Sequence, residues 1–171
     1  QAYLEMGQAE QLGSYLRELT DDYNSVDIQI RTGNTMVDAI LNSKLSVVKA
    51  RDIRVDATAD LPPDIPVSDV DLSVMIGNLL DNAMEACLKV PQEERFLRFY
   101  MAKVRDNLYI YVMNAADGAY RKGQGKYLST KGTDSHGYGL HRIDKVVKKY
   151  RGYLNRQDEG NVFATEVLLP L

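Results

Sequence analysis

Between Leu72 and Leu88 the chain reads LSVMIGNLLDNAMEACL, an apolar helix pattern interrupted by two asparagines, an aspartate and a glutamate. At about 100° per residue, Asn78, Asn82 and Glu85 fall in one stripe, while Val74, Ile76, Leu79, Leu80, Ala83, Met84 and Cys87 cover most of the remaining circumference. Polar groups on so apolar a helix need partners, because burying an amide without one costs roughly 1 to 3 kcal/mol. The stripe therefore either bonds to loops within the core or faces a cavity that holds a polar ligand. Amide oxygens and a carboxylate suit a hard cation such as Mg²⁺, which is usually held by few protein oxygens together with substrate phosphates.

A chain of 171 residues, 44% hydrophobic and 26% charged, fits one compact α/β domain with room for an added helical element. Its 21 basic and 24 acidic residues leave a net charge of −3, so composition gives no support to a nucleic-acid binder. The one cysteine, Cys87, sits in the apolar helix pattern, which excludes an internal disulfide and fits a reducing compartment. His136 and His141 lack carboxylate or thiol neighbours at zinc-ligand spacing, and no zinc is expected. No apolar run is long enough to span a membrane, and no signal peptide is visible. The chain begins at Gln1, which reads as a piece of a longer protein whose other part could include membrane helices.

Residues 1 to about 50 read as helix twice, with a break at Asp21 to Gly33 and with Asn34 or Thr35 as a cap for the second helix. A strand is expected over Asp52 to Asp60, ended by Pro62, Pro63 and Pro66, and Ser68 can cap the helix that stops near Val90. Arg95 to Val104 and Leu108 to Asn114 form an expected antiparallel hairpin, turned at Asp106 and Asn107. Ala115 to Ser135 shows no clear period and reads as a long functional loop, more a lid than a linker. A helix over Gly139 to Tyr150 and a second hairpin, Tyr153 to Arg156 with Val162 to Leu169, turned at Asp158 to Asn161, complete the chain. That order suggests an α+β fold, a two-layer α/β sandwich with a mixed, largely antiparallel sheet covered by helices on one face and preceded by N-terminal helices.

The lid ends in Ser129-Thr130-Lys131-Gly132, followed by His136-Gly137-Tyr138-Gly139-Leu140 running into a helix. Two glycines at a helix start let backbone N–H groups approach an anion, and the helix dipole favours negative charge there. Lys131, with Lys122 and Lys126, could neutralise phosphate charge. A GxG before a helix is also a common tight turn, so its weight comes from standing together with the asparagine helix.

GNLLDNAMEA at Gly77 to Ala86 resembles the N box of the GHKL (Bergerat) ATP-binding fold shared by gyrase, the Hsp90 chaperones, sensor histidine kinases and MutL. STKGTDSHGYGL at Ser129 to Leu140 resembles the lid and second glycine box of that fold. The likeness extends over roughly Ile53 to Leu171. Upstream, TGNTMVDAILNSK at Thr32 to Lys44 is similar to peptide-quorum-sensing kinases of the accessory gene regulator type, a pattern shared with citrate and fumarate sensor kinases. The resemblance implies that Asn82 binds Mg²⁺ with help from Asn78, that Gly137, Gly139 and Leu140 form the phosphate-side turn, and that Thr130 and Lys131 close over the phosphates. It further implies a division into residues 1–50, the distal dimerisation helices and a connecting helix, and residues 51–171, the ATP-binding catalytic domain.

Two departures from the family pattern matter. The first glycine box usually opens with an aspartate that accepts from the adenine amino group, whereas here the strand ends in Asn114-Ala115-Ala116-Asp117-Gly118. Asn114 can still accept that bond through its amide oxygen, without charge, so weaker adenine recognition is expected; Asp117 lies beyond the strand end. In the ATP-hydrolysing branch a glutamate occupies the position of Asn78 and serves as base for water, and an amide cannot take a proton. Transfer to a protein side chain is thereby favoured over hydrolysis. Glu85, one turn beyond Asn82, either assists catalysis or forms an inert polar wall. Gln1 to Asn24 contains no histidine, so the phosphoacceptor is expected upstream of this chain.

The expectation is the Mg-ATP-binding domain of a bacterial membrane-attached sensor histidine kinase, lying in the cytoplasm, homodimeric in the full-length protein and serving a cognate response regulator. A GHKL ATPase, an anti-sigma-type serine kinase and a non-catalytic interaction module are the alternatives.

Overall fold

A computed structural model describes residues 30–62, 64–118, 121–123, 126–128 and 138–171. The first expected helix, before Ile30, lies outside them. Helix α1 (Thr35–Lys49) opens on Asn34, whose side-chain oxygen accepts from the Val37 N–H at 2.9 Å. Strand β1 (Arg54–Asp60) follows, then α2 (Asp69–Cys87), capped as expected by Ser68, whose side chain accepts from the Asp71 N–H. A short 3₁₀ turn at Gln92–Glu94 leads into β2 (Phe96–Val104) and β3 (Asn107–Ala115). The small strands β4 (Arg121–Gly123) and β5 (Lys126–Leu128) come next, then α3 (Tyr138–Lys149), β6 (Tyr153–Glu159) and β7 (Val162–Pro170).

The main sheet has five strands in the order β1-β2-β3-β7-β6. Only β1 runs parallel to its neighbour; β2–β3, β3–β7 and β7–β6 are antiparallel. The mixed, largely antiparallel sheet and the helices packed on it form the expected two-layer sandwich. Alternation along the strands sends Leu97, Phe99, Met101, Leu108, Ile110, Val112, Val167 and Leu169 into the core. On that face α2 packs against β2 and β3, while α3 packs against β6 and β7. Helix α1 lies on α2 and β1 and buries Val37, Leu41, Leu45 and Val48 in the same core.

Two expectations about connections are corrected. Ala115 to Ser135 was expected to lack regular structure, yet β4 and β5 pair as a small hairpin within it, three residues each being too short for a periodic signal. The last hairpin turns on Gly160 and Asn161 alone, since Asp158 and Glu159 remain in β6; Gly160 supplies φ +56° at the turn.

Candidate functional site

The polar stripe of α2 faces the start of α3. Asn78 donates through Nδ2 to the Val74 carbonyl one turn back, which turns Oδ1 outward from its own helix. At Gly139, in the first turn of α3, a Cβ would stand 3.2 Å from Asn78 Oδ1 and 3.3 Å from Asn82 Oδ1. The φ of Gly139 lies outside the left-handed range, so space and not backbone conformation requires glycine there. The two amide oxygens thus converge on one point beside a helix N-terminus.

Asn82 Nδ2 is buried and has no hydrogen-bond partner among the described residues. An orphaned buried amide is a destabilising feature that a fold tolerates where a ligand completes it. Glu85 lies on the same stripe, half-buried. Asn114 occupies the end of β3, the strand on which α2 packs, and is 3% exposed. Its Nδ2 donates to the Ala115 carbonyl at 2.9 Å, leaving Oδ1 as the atom able to accept from a ligand. Leu140 is half-buried in the first turn of α3, and His141 beside it is exposed. Thr130, Lys131 and Gly137, together with His136, lie outside the described residues.

Three polar ties hold the helices that carry these groups, and none was anticipated as part of the site. Lys149, at the end of α3, sits 2.6 Å from Asp71 Oδ2 at the start of α2. The Tyr150 O–H donates to the same oxygen at 2.6 Å and accepts from the Ser68 N–H at 3.0 Å. The Lys149, Tyr150 and Ser68 hydrogen bonds hold the Asp71 carboxyl at about 2, below its ordinary 3.8. Arg156 of β6 reaches Asp144 of α3 at 2.7 Å, and Lys44 of α1 reaches Asp81 of α2 at 2.7 Å. These partners are 78, 12 and 37 residues apart in sequence, so no local spacing connects them.

A family model described as GHKL domain matches residues 67–170, more than half of the chain. The chain belongs to the GHKL domain family. The matched span contains both the asparagine helix α2 and the glycine-opened helix α3.

Among relatives, the GHKL chain is 27% identical over 163 residues to a probable C4-dicarboxylate sensor kinase of Halalkalibacterium halodurans, covering 91% of this chain and 30% of that protein. It is 24% identical over 164 residues to the sensor histidine kinase NatK of Bacillus subtilis, covering 92% of this chain and 51% of the relative. The chain therefore spans about half or less of the length of these curated relatives. Among solved structures, the catalytic domain of histidine kinase ThkA superimposes with a TM-score of 0.62 at 15% identity, covering 79% of this chain and 91% of that one. The histidine kinase domain of a blue-light activated kinase from Erythrobacter litoralis gives 0.61 at 14% identity, covering 88% of this chain and 67% of that one. The GHKL chain thus shares its fold with histidine kinase catalytic domains, and these two relatives are named sensor kinases.

Proposed function

We propose that the domain binds Mg-ATP between α2 and α3 and donates the γ-phosphate to a histidine other than His136 or His141. The observation that carries this reading is the buried Nδ2 of Asn82, unpartnered among the described residues, beside Gly139. Asn82 and Asn78 would present oxygens to the metal, and two neutral amide oxygens fit a small hard cation that keeps most of its water and takes its other ligands from phosphate. When bound, Mg²⁺ would supply neutralisation of phosphate charge at this site.

The remaining work falls to the chain itself. The N-terminal turn of α3, with Gly137, Gly139 and Leu140, would orient the phosphates through backbone N–H groups and the helix dipole. Thr130 and Lys131 would close over them, and Lys131 would offset charge that develops on the transferred group. Asn114 Oδ1 would accept from the adenine amino group. Glu85 would orient the incoming side chain or a water on the stripe. An amide at position 78, with its Nδ2 engaged by Val74, offers no base for water, which supports transfer over hydrolysis.

In the longer protein, residues 1–50 would belong to dimerisation and connecting helices and residues 51–171 to the catalytic domain, with a homodimer and a response regulator as partners. Among the described residues no helix is long and apolar enough to cross a membrane. Attachment would come through an upstream region, with this domain on the cytoplasmic side. Calorimetric titration of the chain with ATP, with and without Mg²⁺, tests the reading: one-site binding that strengthens with Mg²⁺ is expected, and no binding in either condition would overturn it.

A further inference from the structure

The upstream motif Thr32 to Lys44 resolves into a seat for α1. Asn42 clasps the backbone of Ile30 from both sides, accepting from its N–H and donating to its carbonyl, each at 2.9 Å. Asp38 Oδ1 accepts from the Thr32 N–H and O–H at 2.7 and 2.6 Å. Four core side chains beneath it fasten α1 to the same core.

From that seat α1 meets α2 in parallel. Asn34 Nδ2 donates to Asp69 Oδ1 at 3.0 Å, and farther along Lys44 Nζ contacts both Asp81 oxygens at 2.7 and 2.8 Å. Between these ties stands Gly77, where a Cβ would lie 3.7 Å from Ile40 Cδ1 and 3.9 Å from Lys44 Cε. Gly77 and Asp81 therefore define the side of α2 that faces α1, and Asn78 and Asn82, each one residue on, define the neighbouring side that faces Gly139.

We infer that Lys44 and Asp81 form a positioning pair that trims the roll of α2, a helix already seated by its own buried side chains, and so aims the Asn78 and Asn82 oxygens. The inference rests on the Mg-ATP reading and extends it to residues outside the ligand-facing stripe. Side-chain tips stand about 6 Å from a helix axis, so a roll of about 10° moves each amide oxygen by about 1 Å. A displacement of that size costs up to about a hundredfold where groups must converge on a reacting ligand. The pair is partly exposed, 34% and 44%, and contributes little to overall stability. Its loss leaves the fold intact, so a change in affinity reports aim and not unfolding.

The test compares Lys44→Met, Lys44→Arg, Asp81→Asn and the Lys44→Met/Asp81→Asn double variant, each checked for a wild-type thermal midpoint. Mg-ATP affinity is measured by calorimetry, and the side-chain amide signals of Asn78 and Asn82 by NMR without nucleotide. Each neutralised variant should bind about three- to fivefold more weakly, the double variant no worse than either single, and Lys44→Arg as wild type. The two amide signals should move in the neutralised variants and stay in place in Lys44→Arg. Single variants that bind within about twofold of wild type, or whose losses add in the double variant, would overturn the pair. Should the wild type itself fail to bind Mg-ATP, that reading falls, and the amide signals alone decide the pair: signals that do not move overturn it.

Discussion

Gly139 sits so close to Asn82 that a Cβ on the glycine would come within 3.3 Å of the asparagine Oδ1, and within 3.2 Å of Asn78 Oδ1. A methyl group there forces both amides aside by a few tenths of an ångström or more. Gly139→Ala should therefore weaken Mg-ATP binding by about tenfold, roughly 1.4 kcal/mol, while stability stays within about 1 kcal/mol because alanine is the better helix former. Calorimetry and thermal melting of the same variant separate the two effects.

Asn114 was expected, from the motif resemblance, at the place of an aspartate, yet introducing an aspartate there should harm the domain. The Asn114 Nδ2 donates to the Ala115 carbonyl, and a carboxylate would face that carbonyl oxygen at a position only 3% exposed. Asn114→Asp should cost roughly 1 to 3 kcal/mol of stability at neutral pH, read as a lower denaturant midpoint. Acidification toward the carboxyl range should lessen the loss by protonating the new group.

The tie between α2 and α3 makes stability sensitive to acid. Asp71 is held at about 2 in the folded chain, below its ordinary 3.8, so the folded state favours its charged form. A depressed carboxylate contributes fully above its unfolded value and loses that contribution as pH falls through the folded one. Wild type should therefore exceed Asp71→Asn in thermal midpoint at pH 6, and the gap should close between about pH 4 and pH 2.

Tyr150 isolates the same tie without altering charge. Its ring packs against the core while its hydroxyl donates to Asp71 and accepts from the Ser68 N–H. Tyr150→Phe keeps the packing and should cost about 1 to 2 kcal/mol, a fall of about 3 to 6 °C in thermal midpoint. A variant that melts with wild type would mean that water replaces both bonds.

The sandwich was legible because its parts obey local rules. β-rich runs about a short turn marked β2 and β3, Ser68 and Asn34 marked helix starts, and the stripe on α2 stood out because amides interrupted an otherwise apolar circumference. Proximity of that stripe to Gly139 came from motif likeness, since no spacing rule joins residues on different helices. The helix ties were invisible for the same reason: no spacing rule pairs Lys149 with Asp71, or Lys44 with Asp81, until the fold brings them together. Asn114 shows the complementary limit, because a motif comparison registers a lost charge but not the carbonyl that the amide satisfies. The β4–β5 hairpin was missed because three-residue strands carry too few alternating positions.

The most direct measurement is Mg-ATP titration of Asn82→Ala beside wild type, with thermal melting of both. Asn82 Nδ2 is buried without a partner among the described residues, so its removal takes no bond from them. Mg-ATP affinity should fall by about tenfold or more, and stability should change by less than about 1 kcal/mol. An Asn82→Ala variant that binds Mg-ATP as tightly as wild type would contradict the assignment of this stripe to the nucleotide and its metal.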